Sequence, residues 1–122
     1  MGTIEDIILA RDRRGISSLR SFLPVDYCMQ AADLISRPPG NAFIVTGFFI
    51  DTAGFPETDG PPEALAIGRA LGSLGYRIYY VTDGFTSALM RNLTGDEQCV
   101  ITFPVDDECG SEQYARELLR RG

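Results

Sequence analysis

The chain has 122 residues, of which 44% are hydrophobic and 23% charged, and its formal net charge at pH 7 is −6. This length and composition are typical of one globular domain, and the acidic balance argues against general binding to nucleic acids. The sequence contains no histidine and no lysine, which excludes Ser-His-Asp and Cys-His catalysis, the Walker lysine and Schiff-base chemistry.

A catalyst built from this chain must therefore use carboxylates, hydroxyls, arginines, backbone amides or a metal held by oxygen ligands. No apolar run reaches the roughly 18 residues of a membrane-spanning helix, and the start, Met1 to Asp6, lacks the features of a signal peptide. We expect a cytoplasmic protein that does not bind membranes. The three cysteines, Cys28, Cys99 and Cys109, show no CxxC spacing, so structural zinc is disfavoured and the first two are interpreted as core residues.

Two helices are predicted in the first 37 residues. Thr3 is a suitable cap for a short helix over 4–11. A second helix is predicted from near Pro24 to about Ser36, and Pro38-Pro39-Gly40 ends it.

The pattern then changes to strands that alternate with helices. Residues 42–50 are almost continuously apolar, which is typical of a strand covered on both faces in a parallel sheet. A polar loop over 51–60 leads to a helix that Asp59 or Gly60 begins and Gly75 ends. Its predicted buried face consists of Leu65, Ile67, Leu71 and Leu74.

The same alternation continues to the end of the chain. We predict a strand over 77–82, a helix over 86–93 with Leu89, Met90 and Leu93 inward, a strand over 98–105 with Pro104 at its end, and a helix over 111–121. This order indicates right-handed βαβ crossovers. The predicted fold is α/β, a Rossmann-like three-layer αβα arrangement with a small parallel sheet of about three strands, in a single domain whose βαβαβα unit spans 41–121.

Polar residues follow each predicted strand, where ligands bind in open α/β sheets. Thr46-Gly47-Phe48 follows the first strand, Thr82-Asp83-Gly84 the second, and Asp106-Asp107-Glu108 the third. Such carboxylates suit Mg²⁺ or Mn²⁺, or acid–base work. For Asp106, Asp107 and Glu108 a solvated loop is the favoured explanation, whereas for Glu57 and Asp59 a functional role is favoured.

The loop segment Glu57-Thr58-Asp59-Gly60-Pro61-Pro62 joins two acids and a hydroxyl to a turn that opens a helix. A helix start offers free backbone N–H groups to an anion such as a carboxylate, whereas Asp59 could act simply as a cap. Gly47, which interrupts an apolar strand, indicates close approach of a ligand or of another backbone. Neither a Walker loop nor a Gly-x-Gly-x-x-Gly sequence is present.

Several segments resemble the N-terminal part of the D-glutamate cyclase C-terminal domain family. The most specific is Glu57-Thr58-Asp59-Gly60-Pro61-Pro62-Glu63-Ala64. The others occur in matching order: Arg11-Asp12-Arg13-Arg14-Gly15-Ile16, Thr46-Gly47-Phe48, Arg69-Ala70-Leu71-Gly72-Ser73-Leu74-Gly75 and Val81-Thr82-Asp83. Family members continue with further strands and a Gly-Asp-Gly-Gly-Asn-Glu type motif, so we expect the chain to be part of a larger domain.

The resemblance implies a lyase that converts D-glutamate to 5-oxo-D-proline and water in a manganese-assisted site. It implies metal-binding or proton-transfer roles for Glu57, Asp59 and Asp83, with Glu57 and Asp59 as the metal ligands. The substrate-binding residues it implies are Thr46, Gly47, Phe48, Thr58, Gly60 and Thr82, with backbone N–H groups near Gly47 and over 60–63 holding a carboxylate.

A different class of function is a non-catalytic α/β module that binds a small anion or a partner chain. A receiver-like phosphoacceptor domain is a weaker alternative, because the lysine that such chemistry uses is missing. If the strand over 42–50 lies at the edge of the sheet, we expect homo-oligomers to form through it.

Overall fold

The computed structural model describes residues 3–105 and 107–120. The chain divides into two compact units, Met1–Pro38 and Pro39–Gly122, with the boundary inside the Pro38-Pro39 pair. That both units form a single domain, and that this domain is part of a larger one, stays a prediction. None of the helices in the described ranges has the length and apolar character needed to cross a membrane.

The first unit contains α1 (Ile4–Leu9), a 3₁₀ helix (Ile16–Phe22) and α2 (Tyr27–Ile35). The predicted cap of α1 is confirmed: Asp6 N–H donates to Thr3 Oγ1 at 3.2 Å, and Thr3 N–H donates to Asp6 Oδ2 at 2.8 Å. The 3₁₀ helix was not predicted, and α2 begins at Tyr27 rather than near Pro24.

Glu5 links the two helices of the first unit. Its side chain is only 3% exposed, and its Oε1 accepts a hydrogen bond of 2.9 Å from the Cys28 N–H in the first turn of α2. This bond lowers the pKa of Glu5 to about 2. Asp26, at the N-cap position of α2, makes no capping bond, so Glu5 takes over that role from another helix.

The second unit is an α/β structure built on a three-stranded parallel sheet, as predicted. In chain order its elements are β1 (Asn41–Val45), β2 (Phe49–Ile50), β3 (Phe55–Pro56), α3 (Gly60–Ser73), β4 (Arg77–Thr82), α4 (Ser87–Thr94), a 3₁₀ helix (Glu97–Cys99), β5 (Val100–Thr102) and α5 (Glu108–Leu119). The order in the main sheet is β1-β4-β5, and both strand pairs are parallel.

The prediction of one strand over 42–50 is wrong. The strand ends at Val45, because Gly47 has a φ of 129°, a backbone conformation that breaks the ladder. Phe49–Ile50 then pairs in antiparallel fashion with Phe55–Pro56, which forms a small hairpin.

The third predicted strand is also shorter than expected. Asp96 accepts from the Gln98 N–H at 2.8 Å and caps a 3₁₀ turn, so the strand covers Val100–Thr102 and not 98–105. Pro104 lies beyond the ladder, as predicted. The last helix begins at Glu108 rather than Ser111, because Asp107 accepts from the Gly110 N–H at 2.8 Å and caps it. Predicted roles of Asp106 and Arg121 lie outside the described residues.

One face of the sheet packs against α3 and α4. The core of this face consists of Ala64, Tyr80, Met90 and Val100. The predicted buried face of α3 is wrong in part, since Ile67 and Leu74 are 53% and 55% exposed. The buried residues are Pro61, Ala64 and Gly68, because the Tyr80 ring lies directly against Gly68 and small residues let the helix approach the sheet.

In α4, Met90 is fully buried as predicted, whereas Leu89 and Leu93 are exposed. The opposite face of the sheet carries Phe43 stacked on Tyr79, with ring centroids 5.4 Å apart. Phe103 meets Tyr114 of α5 edge to face at 5.1 Å. Helices therefore cover both faces, which gives the three-layer αβα arrangement that the sequence predicts.

Candidate functional site

Three threonines form a row at the carboxyl ends of the three parallel strands. Thr82 pairs with Thr102 in the β4–β5 register, and Thr46 lies one residue beyond the Val45–Val81 pair of β1 and β4. Side chains at paired positions share a face of the sheet. Because Tyr80 and Val100 are also paired and lie in the core under α3 and α4, the threonine row lies on this same face.

Thr82 is the unusual member of the row. It is 2% exposed, and its Oγ1 is a buried polar atom with no hydrogen-bond partner among the described residues. A buried hydroxyl without a partner costs about 1–3 kcal/mol, so a water, an ion or a ligand that bonds to it would stabilise the chain. The atom therefore marks the centre of the candidate site.

Gly47 covers Thr82 and the neighbouring Asp83. A Cβ atom at Gly47 would lie 2.9 Å from Thr82 Oγ1 and would overlap Asp83 Oδ2. The sequence left open whether Gly47 marks close approach of a ligand or of another backbone. In the chain by itself, the close neighbours are the side chains of Thr82 and Asp83.

The carboxylate of Asp83 is held in place by Thr86, the residue immediately before α4. Its Oδ1 accepts from the Thr86 N–H at 2.7 Å, and its Oδ2 accepts from the Thr86 hydroxyl at 3.2 Å. An ionised carboxylate can accept about four hydrogen bonds, so Asp83 keeps acceptor capacity for a ligand. Asp83 thus closes the turn before α4 and presents its carboxylate beside Gly47.

The start of α3 reaches the same place through Gly60. A Cβ atom at Gly60 would lie 3.0 Å from Thr46 Oγ1. The capacity of this turn to hold an anion is small, because Pro61 and Pro62 have no N–H and the Glu63 N–H donates to the Asp59 carbonyl at 3.3 Å. The backbone N–H groups over 60–63 were expected to hold a carboxylate. Of these four positions, Gly60 is the one whose N–H remains for that role.

The acidic loop before α3 lies in a different environment. Glu57 and Thr58 line a cavity of about 360 Å³ together with Phe55, Pro61 and Leu89, and the Glu57 N–H donates to the Phe48 carbonyl at 2.7 Å. Asp59 is exposed at the N-cap position, and its side chain makes no capping bond. Phe48 is 65% exposed.

A second cavity of about 450 Å³ extends over the α5 face of the sheet and reaches the carboxyl ends of its strands. Its walls are largely apolar and include Phe43, Val45, Phe103 and Leu118, while Thr46, Gly47, Thr82 and Asp83 lie at its polar end. Four predicted site residues therefore line one cavity, whereas Glu57 and Thr58 line another.

The described residues do not form a metal centre by themselves. Over 3–105 and 107–120, no three Asp, Glu or Cys side chains come close enough together to hold a metal ion. The manganese role of Glu57 and Asp59 stays a prediction.

Sequence reasoning missed two residues at this edge of the sheet. Thr86 is fully buried and orients Asp83; the spacing Asp83-Gly84-Phe85-Thr86 is a capping pattern that could have revealed it. Arg91 donates from Nη2 to Thr102 Oγ1 at 3.0 Å, and no pattern in the sequence marks it.

Comparison with protein families gives a match over residues 4–116 to a family described as D-glutamate cyclase-like, C-terminal. The chain belongs to this D-glutamate cyclase-like family. The family resemblance that the sequence shows is thereby confirmed, and the matched range covers elements of both units. Comparison with curated proteins and with solved structures returned no match.

Proposed function

We propose that the second unit carries the substrate-binding part of a lyase site that converts D-glutamate to 5-oxo-D-proline and water. Family membership supports this reaction class. The observation that carries the proposal is the unpartnered hydroxyl of Thr82, the member of the threonine row that lies against Gly47 at the carboxyl edge of the sheet.

The reaction is an internal condensation. The amino nitrogen attacks the γ-carboxyl carbon, a C–N bond forms, and one carboxyl oxygen leaves as water with protons that come from the ammonium group. Because both reacting groups belong to one molecule, holding the chain folded supplies most of the proximity advantage. The protein must also remove a proton from the ammonium group before attack and return it to the departing oxygen.

Asp83 is suited to that proton transfer. Thr86 fixes its carboxylate through two hydrogen bonds, and a general base must be held within hydrogen-bond reach of the proton that it takes. Thr46, Thr82 and the Gly60 N–H would position the substrate. Glu57 and Asp59 remain the candidates for the metal-binding role that the family resemblance implies.

The test is formation of 5-oxo-D-proline from D-glutamate by the 122-residue chain, with and without Mn²⁺, followed by chiral chromatography. We expect Asp83→Asn to lower the rate about 10²-fold or more. Asp107→Asn is the matched control, because the Asp107 carboxylate accepts from the N–H three residues further on, at Gly110, just as the Asp83 carboxylate accepts from Thr86. An Asp83→Asn variant as active as Asp107→Asn would contradict the role of Asp83, and absence of product with the unmodified chain would contradict the activity.

The second candidate is a non-catalytic module that binds a small anion or a partner chain. The feature that favours it is β1, an edge strand whose Val45 is 79% exposed. This function predicts ligand-dependent NMR shifts over residues 46–60 with no turnover of D-glutamate.

A further inference from the structure

Arg91 is a partly buried arginine without an acidic partner. Its Nη2 donates to Thr102 Oγ1 at 3.0 Å. Among the residues that the structure describes, the ion pair found is the one between Arg116 and Glu112. No described carboxylate therefore forms an ion pair with Arg91. A guanidinium has five N–H donors and binds a carboxylate through two of them at once.

The other described arginines of the second unit lie elsewhere. Arg77 begins β4 at the opposite end of the sheet, and Arg69 is exposed in the middle of α3. Arg116 is engaged with Glu112, and Arg120 is exposed at the C-cap of α5. Arg91 is therefore the arginine whose charged group reaches the carboxyl end of a strand.

The position of Arg91 relative to Thr82 follows from strand register. Thr102, to which the guanidinium donates, is the direct partner of Thr82, and neighbouring strands lie about 4.8 Å apart. A half-buried positive charge and an unpartnered hydroxyl thus lie on the same face at the same edge of the sheet. Both groups can donate to an oxyanion.

We propose that Arg91 is the specificity-determining residue that binds a carboxylate of the substrate, with Thr102 orienting the guanidinium and Thr82 as a second donor. This inference rests on the lactam-forming function proposed above. It answers a problem of charge, because D-glutamate brings two carboxylates to an edge of the sheet that already carries Asp83. A substrate carboxylate therefore needs a cation there, and the chain has no lysine or histidine to provide one.

The probes are D-glutamate and glutarate, a dicarboxylate that lacks the amino group and cannot cyclise. Binding to the 122-residue chain is measured by NMR titration, and kcat and KM for D-glutamate are measured by 5-oxoproline formation. We expect Arg91→Gln to weaken glutarate binding and raise KM by roughly 10- to 100-fold, with a smaller change in kcat. Arg91→Lys, which keeps a point charge, should retain part of the affinity and tests the role if Arg91→Gln folds poorly.

Arg69→Gln is the matched control and should bind glutarate as the unmodified chain does. Unchanged affinity and KM in Arg91→Gln, with product still formed, would overturn the inference and leave the proposed function standing. If glutarate binding depends on Arg91 but no 5-oxoproline forms, the proposed reaction is wrong and the proposed carboxylate site stands. No binding of either probe by the unmodified chain would overturn both.

Discussion

Gly47 lies over Thr82 so closely that a Cβ atom at Gly47 would stand 2.9 Å from Thr82 Oγ1. The hydroxyl is buried at this contact and has no hydrogen-bond partner among the described residues. Glycine is required here for two reasons, since the φ of 129° also disfavours any L side chain. This arrangement lowers the stability of the free chain at the place where we propose that a ligand binds.

We expect Thr82→Val to raise the stability of the chain and to lower its affinity for the substrate. Valine keeps the shape of threonine and removes the unpartnered hydroxyl, so we expect the free energy of unfolding to rise by about 1 kcal/mol while affinity for D-glutamate falls. Thr102→Val is the control from the same row; it removes the acceptor of Arg91 and should lower the free energy of unfolding by about 1 kcal/mol. Urea denaturation of both variants gives the comparison, and equal destabilisation would contradict the special status of Thr82.

Two glycines of α3 should respond in opposite ways to alanine. A Cβ atom at Gly68 would overlap the Tyr80 hydroxyl and lie 2.7 Å from Tyr80 Cζ, so Gly68→Ala should cost about 1–3 kcal/mol. At Gly72 the nearest atom is Ile78 Cγ1 at 3.9 Å, and Gly72→Ala should gain up to about 1 kcal/mol from helix propensity. Denaturation curves that show no difference between the variants would mean that α3 does not pack this closely.

The pKa of Glu5 predicts how the first unit responds to acid. The bond from Cys28 lowers this pKa from 4.5 to about 2, so the carboxylate stabilises the folded state fully above pH 4.5. That contribution is lost as the pH falls from about 4.5 to about 2. NMR titration of the Glu5 carboxyl carbon should give the low pKa, and Glu5→Gln should remove this part of the acid dependence. A Glu5 titration near 4.5 would show that the bond to Cys28 is absent in solution.

The outer edge of β1 predicts self-association, which we propose occurs by strand pairing between copies. Thr46 N–H donates to Val81 and the Gly40 carbonyl accepts from Arg77, so the backbone groups of Asn41, Phe43 and Val45 point away from β4. Val45→Lys should keep the chain monomeric in light scattering, because an edge lysine blocks such pairing. Val105→Lys is the control at a residue of similar exposure, 85% against 79%. A monomeric unmodified chain at high concentration would contradict the proposal.

The alternation of strands and helices could be predicted from the sequence because its signals are local. Runs of apolar β-branched residues indicate strands, and stretches rich in small residues indicate helices. The β4 strand, Arg77–Thr82, was predicted with its exact bounds. The break at Gly47 was not predicted, because the apolar run continues through Phe48 to Ile50. The hairpin that Phe49–Ile50 forms depends on pairing with Phe55–Pro56, which comes later in the chain.

The candidate site was predictable only where it follows strand ends. Thr46, Gly47, Thr82 and Asp83 line one cavity, as expected of residues at the carboxyl ends of parallel strands. Arg91 could not be found in this way, since its guanidinium reaches the sheet from a helix. Likewise, the separation of Glu57 from Asp83 into different cavities depends on the path of the loop and not on any residue pattern.

The contact between Tyr80 and Gly68 has a mechanical consequence for the mouth of the site. The tyrosine ring occupies the space of a missing side chain midway along α3, so the helix can neither translate along its axis nor roll without a collision. The distance between Gly60 and Thr46 is thereby set from the middle of the helix. We therefore expect the spacing between Gly60 and Thr46 to change little when a ligand binds.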